Sequence, residues 1–241
     1  MARLPRLYVP NIPQLAQARF AKPLALPSDP TPLAQLDLLA AWLREVALGQ
    51  ALEQRAAVHA WVLLNDRLVL LATPAAPDSI ARLIQAFGRR YATRLQHGRV
   101  FTGRYHSALL QPGHWVLPAQ VWLEHLPVQT GYVDTPQAWP WSSAAYHAGT
   151  SHSTGAWLTN HPDYWLDGNT PFERQARYSQ RLAHKLLASQ RQQIEHALSG
   201  QWALGEPAFL AGLQGRASRR LAPVPRGRPR KIRPEPPAGN T

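Results

Sequence analysis

Eight basic residues, Arg216, Arg219, Arg220, Arg226, Arg228, Arg230, Lys231 and Arg233, fall within eighteen consecutive positions that hold no acid. Cations at that density neutralise phosphates and release the counterions condensed on nucleic acid. Inside the run, Arg226-Gly227-Arg228-Pro229, continued by Arg230 and Lys231, has the form of an AT-hook core. Its Gly and Pro let the backbone lie flat in a narrow A·T-rich minor groove, where the Arg side chains follow the negative potential. Generic attraction of a basic tail to phosphate explains the run equally well. A second group, Arg89, Arg90, Arg94, Arg99 and Arg104, surrounds one predicted helix and the loop after it, with Tyr105 beside it. It reads either as a nucleic-acid contact or as a solvated basic face.

Other chemistry is thinly represented. The chain has no Cys, which excludes disulfides, thiolate metal sites and a thiol nucleophile and fits a reducing cytoplasm. His59, His114 and His125 read as surface or strand-end histidines rather than ligands. Of the phenols, Tyr91 falls on the apolar stripe of its helix and reads as core, and Tyr105 either packs on a sheet or contacts DNA. Tyr132 and Tyr146 carry no further assignment. There is no Ser-His-Asp order, no phosphate-cradling Gly loop and no usefully spaced pair of carboxylates.

The 241 residues carry a formal net charge of +12 and are 45% hydrophobic, with nine Trp. That composition builds one good core, with room for a small appendage. No apolar run approaches the ~20 residues of a membrane helix, and no secretory signal is expected. A short strand is predicted around Arg6–Val9. Thr31-Pro32 opens a helix on Leu33, Leu36, Leu39, Ala40, Leu43 and Val46, stopped near Gly49. Residues 57–64 and 67–73 are β-rich runs joined by Asn65-Asp66, a hairpin signal. Asp78 or Ser79 caps a second helix with Ile80, Leu83, Ile84, Phe87, Tyr91 and Leu95 as its buried stripe. A strand at Tyr105–Leu110 and a helix from about His114 to Leu126 follow. Pro118 either kinks that helix or marks a later start. The order strand, helix, hairpin, helix, strand, helix predicts an α+β fold, a ferredoxin-like antiparallel sheet with helices on one face.

Residues 1–150 are assigned to this core and 151–168 to a connector. Residues 169–215 are assigned to a small helical module and 216–241 to a basic tail rich in Pro and Arg, disordered in isolation. In the module, Thr170-Pro171-Phe172-Glu173 is a capping box opening a helix through Leu187. Helices at Gln190–Leu198 and Pro207–Leu213 complete a bundle, or, over Ile194–Leu213, a helix-turn-helix.

The stretch Val58-His59-Ala60-Trp61-Val62-Leu63-Leu64-Asn65-Asp66-Arg67-Leu68-Val69-Leu70-Leu71-Ala72-Thr73-Pro74 resembles the core strand pair of the REP-associated tyrosine transposases, whose register typically reads VHAYVLMTNHVHLLATP. Further markers run in family order. They are Ala2-Arg3-Leu4-Pro5-Arg6-Leu7, His97-Gly98-Arg99-Val100-Phe101-Thr102-Gly103-Arg104-Tyr105, and Leu126-Pro127-Val128-Gln129-Thr130-Gly131 (against NPVRAG). Trp139-Pro140-Trp141-Ser142-Ser143 with Tyr146 (against WSSY), His161-Pro162-Asp163-Tyr164 and the terminal Arg226–Lys231 run follow. The chain is identified as a degenerate member of that family.

The resemblance implies a ferredoxin-like fold and a tyrosine that attacks a DNA phosphodiester, assisted by a divalent metal such as Mg or Mn. Two His one residue apart on a strand, and an Asn before the Pro, hold the metal. Those positions are here Arg67, Val69 and Leu126, and the nucleophile position, five before Pro127, is Trp122. No side chain of these four can form a phosphotyrosine or ligate a cation, so no catalytic residue, no metal and no cofactor is expected. The expected function is binding of single-stranded, hairpin or A·T-rich DNA through Arg89, Arg90, Arg99, Arg104, Tyr105, Arg226, Gly227, Arg228, Pro229, Arg230 and Lys231. An active transposase with displaced residues and a protein-interaction scaffold are the alternatives. A homodimer and a cytoplasmic, nucleoid-associated location are further expectations.

Overall fold

A computed structural model describes residues 5–24, 32–95, 98–151 and 157–223. The Arg226–Lys231 motif, Thr31 and His97 lie outside the described residues. Strands are β1 (Gln14–Arg19), β2 (Ala56–Leu63), β3 (Arg67–Pro74), β4 (His106–Leu110) and β5 (Ala203–Leu204). Helices are α1 (Pro32–Leu48), α2 (Ser79–Leu95), α3 (Val116–Glu124), α4 (Leu126–Gln129), α5 (Ala144–His147), α6 (Pro162–Trp165), α7 (Pro171–His184), α8 (Ala188–Gly200) and α9 (Pro207–Leu213). The sheet order is β2-β3-β1-β4-β5. All pairs are antiparallel except β4–β5. The first four strands with α1 and α2 form the ferredoxin-like unit.

The strong local signals hold. Leu36, Leu39, Ala40 and Leu43 of α1 are buried, as are Ile80, Leu83, Ile84, Phe87 and Tyr91 of α2. At the hairpin the Leu64 amide donates to the Arg67 carbonyl at 2.8 Å, closing the Asn65-Asp66 turn. The capping box is complete. The Glu173 amide donates to Thr170 Oγ1 at 3.2 Å, and the Thr170 amide to Glu173 Oε2 at 3.3 Å. Pro118 is the third residue of α3. In that first turn its missing N–H has no intrahelical partner to lose, so it marks a later start and not a kink.

The first strand is displaced from the expected position. Arg6–Val9 is not a sheet strand. Leu7 and Val9 instead pack in a satellite core with Leu109, Ala203, Leu213 and Leu221. After a turn with Asn11 at φ 62°, Gln-Leu-Ala-Gln-Ala-Arg forms the central strand. It contains no β-branched residue and would not be chosen on propensity; pairing on both sides and burial override the local preference. β5 was also not anticipated. It separates α8 from α9 and adds Ala203 and Leu204 beside β4. A helix-turn-helix therefore does not form over Ile194–Leu213, and Ile194 and Leu198 belong to the main core.

Alternation along β1 defines the two faces. Phe20, just beyond it, packs on Phe87 and Tyr91 of α2. Ala18 and Ala16 therefore face α2, while Arg19, Gln17 and Leu15 face away. Their cross-strand partners Arg67, Val69 and Leu71 share that second face. There α3 packs across β2 and β3, and α8 against β4 and β1. The outer edge of β2 is covered by the Trp139–Ser143 segment: the Leu63 amide donates to the Trp141 carbonyl at 2.8 Å, and Val62 bridges Ser142. Covering an edge strand in this way blocks pairing with another chain.

Candidate nucleic-acid interface

The four positions that the resemblance assigns to metal and nucleophile are brought to one side of the sheet. Arg67 opens β3, and its guanidinium is held by Asp66: Nε donates to Oδ1 at 2.9 Å, and the terminal nitrogen lies 2.7 Å from Oδ2. Val69, Trp122 and Leu126 are 0%, 3% and 5% exposed, closed to a strand of DNA. The Trp122 indole donates to Glu195 Oε1 at 3.3 Å. Their side chains do not fit a divalent cation: one is a paired cation, and the other three offer no lone pair to a metal. Among the described residues no group of three or more His, Cys, Asp or Glu is placed to hold one.

Behind those positions lies a polar cluster that sequence reasoning missed. Glu124, fully buried, accepts from Ser143 Oγ at 2.6 Å and from the Tyr178 hydroxyl at 2.7 Å; His147 Nδ1 lies 2.7 Å from the same carboxylate. Burial and the Glu124 charge push the Tyr178 phenol well above its ordinary value. Ser143 also clasps β2: its amide donates to the Trp61 carbonyl and its Oγ accepts from the Trp61 amide, each at 3.0 Å. Three donors around one carboxylate compensate a burial that would otherwise be prohibitive. The cluster pins α3, the Trp-Ser-Ser segment and α7 to one another. Its one legible signal is an acid inside the apolar run Val121-Trp122-Leu123-Glu124.

Two histidines read as surface or strand-end groups are interior. His59 sits at the bulge in β2. Its Nδ1 lies 2.6 Å from the Thr159 carbonyl and its Nε2 2.8 Å from Thr73 Oγ1. Desolvation depresses its pKa to about 4, so the imidazole is neutral. His161 stands edge-on to it at 4.9 Å, and Asp163 beyond accepts from the Gly113 amide at 2.7 Å. His125 is buried against the Leu182 carbonyl at 2.7 Å. Their hydrogen-bond partners lie 14 to 100 residues away, so nothing local reveals their burial. Of the three, His114 is exposed, 3.8 Å from Glu206.

A cluster of arginines lies on the α2 side of the sheet. The amphipathic α2 buries its apolar stripe and turns Arg82, Arg89, Arg90 and Arg94 outward. Two hollows flank it, sharing Ala81 and Gln85. The one toward α1 is bordered by Arg82 and Arg89. The other, about 430 Å³, is bordered by Arg6, Arg99 and Arg104. Arg90 is engaged: it pairs with Glu45 and lies 5.1 Å from the Trp42 ring. Tyr105 is 6% exposed, its ring beneath the Arg6 guanidinium at 3.8 Å. Burial raises the Tyr105 phenol and lowers the Arg6 guanidinium relative to their ordinary values. The structure thus gathers Arg89, Arg99, Arg104 and Tyr105 around α2 and adds Arg6, which the sequence did not single out.

The fold has a known counterpart. The chain is similar to a solved structure of a REP-associated tyrosine transposase bound to a REP hairpin, with a TM-score of 0.51 at 13% identity. The match covers 68% of this chain and 93% of that one. No family model and no curated protein matches the sequence.

Proposed function

We propose that this protein is a DNA-binding protein built on a transposase scaffold, holding single-stranded or hairpin DNA without phosphotyrosine strand transfer. The observation that supports it most is the fold match: nearly the whole of a transposase seen with a DNA hairpin has a counterpart here. The net charge of +12 and the arginines gathered around α2 supply the phosphate affinity. Arg89, Arg99 and Arg104 contact the backbone of the strand. Arg90, tied to Glu45, contributes field rather than a hydrogen bond. Tyr105, buried beneath Arg6, carries that guanidinium and does not itself reach DNA. The Arg226–Lys231 run adds an A·T-preferring or purely electrostatic arm. The loss of chemistry rests on the nature of Arg67, Val69, Trp122 and Leu126.

A gel assay with fluorescent hairpin and linear single strands, with and without Mn²⁺, tests both halves. A shifted band without cleavage is the expected result. No retention of either DNA at low salt would refute the binding half. A covalent label on the protein would refute the other. Tyr132, a half-exposed phenol that feels the charges of Asp66 and Arg67, would then be the first residue to replace.

A further inference from the structure

The cleft between the loop at 98–105 and the N-terminal arm is lined by three arginines. The loop is strapped to the end of β1: the Thr102 amide donates to the Arg19 carbonyl at 3.0 Å, and the Ala21 amide to the Val100 carbonyl at 2.9 Å. Phe101 stacks on Phe20 at 5.5 Å. The arm is held from the other side, Ser218 Oγ donating to the Arg6 carbonyl at 2.7 Å. These fixed walls present Arg6, Arg99 and Arg104 to one hollow of about 430 Å³, with no acid among the residues that line it. Asp78, whose charge reaches Tyr105, is already paired with Arg82. Arg6 Nε is buried and has no hydrogen-bond partner among the described residues. A buried donor left unpaired costs free energy unless a ligand satisfies it. Arg6 and Arg104 also repel one another, and an anion between them would relieve that.

We propose that this cleft takes the terminal phosphomonoester of a nucleotide. A terminal phosphate carries about −1.5 to −2 charge at neutral pH, against −1 for an internal diester, and offers three acceptor oxygens to planar guanidinium forks. The hollow falls within the ~300–1,000 Å³ range of small-molecule pockets. Ala81, Ile84 and Phe101 give it an apolar wall for a base or sugar. The phosphomonoester can belong to the end of a DNA strand, which rests on the DNA-binding reading, or to a free nucleotide, which does not.

The full chain is tested by fluorescence anisotropy against one single-stranded oligonucleotide in 5′-phosphate, 3′-phosphate and unphosphorylated forms. Thermal shifts with a deoxynucleoside monophosphate, its nucleoside and inorganic phosphate form the second arm. A phosphorylated end should tighten binding by about tenfold, the equivalent of one charge-assisted hydrogen bond. Arg99→Gln, an exposed change, should erase that difference and leave the thermal midpoint of the unliganded protein unchanged. Arg6→Lys, which keeps charge but not the planar fork, should weaken it. Strands bound equally in all three forms, with no thermal shift from the monophosphate, would overturn the proposal while leaving DNA binding intact. If no strand binds but the monophosphate stabilises the protein through Arg99, the proposal stands with a free nucleotide as its source, and the DNA-binding reading falls.

Discussion

Two polar regions of this molecule are opposites. Around Glu124, on the α3 side, a fully buried carboxylate is surrounded by Ser143 and His147 at the two ends of α5 and by Tyr178 of α7. Around α2, three arginines line one hollow with no acid among its lining residues. The first arrangement satisfies itself and holds helices together. The second presents its guanidinium groups to an open hollow, and charge presented in that way suits a surface to an anion. A buried charge is therefore a weak guide to function in this protein, and a charge facing a hollow is the better guide.

The comparison breaks most visibly at Glu124. Glu124→Ala strands His147, Ser143 and Tyr178, and should cost about 3–5 kcal/mol, the usual penalty for breaking a buried pair. That corresponds to a fall in thermal midpoint of roughly 10 °C, read by calorimetry, while DNA affinity below the melting range stays unchanged. Should DNA affinity fall with stability intact, the cluster would belong to the interface and the contrast would be lost.

The neighbouring His59 sharpens the same contrast through pH. Its folded pKa of about 4 lies below the ordinary 6.5, so the unfolded chain binds the proton first. Stability is full above pH 6.5 and declines as pH falls toward 4, by on the order of 3 kcal/mol. Denaturant melts from pH 7.5 to 4.5 should show the decline, and His59→Gln should flatten it.

On the α2 side the expected effects are on binding alone. Arg99→Gln with Arg104→Gln should weaken single-strand binding several-fold. The slope of log affinity against log salt should fall by about 0.7 for each phosphate contact removed. Melting temperature should hold within a degree or two. A loss of stability as large as that at Glu124 would make these arginines structural. The smallest effect belongs to the helix start far from both regions. Thr170→Ala removes the capping box of α7 and should cost about 1 kcal/mol, with no change in DNA binding.

Much of the scaffold was legible locally. The stripe of α2, the Asn65-Asp66 hairpin and the Thr170 capping box depend on residues three or four apart, and the sequence carries them in full. Arg67, Val69, Trp122 and Leu126, which the resemblance singles out, lie on one side of the sheet. The arginines around α2 were visible as a cluster, though not as the wall of a cleft.

By itself, then, the sequence determined the α+β order and the strong positive charge, because those follow from residue types and short-range period. Tertiary structure decided that Gln14–Arg19 is the central strand, because pairing on both edges outweighs a weak propensity. It decided that Glu124, His59 and His125 are interior, because their partners lie 14 to 100 residues away. And it decided that Arg6 joins Arg99 and Arg104, because only folding brings the N-terminal arm beside the loop at 98–105.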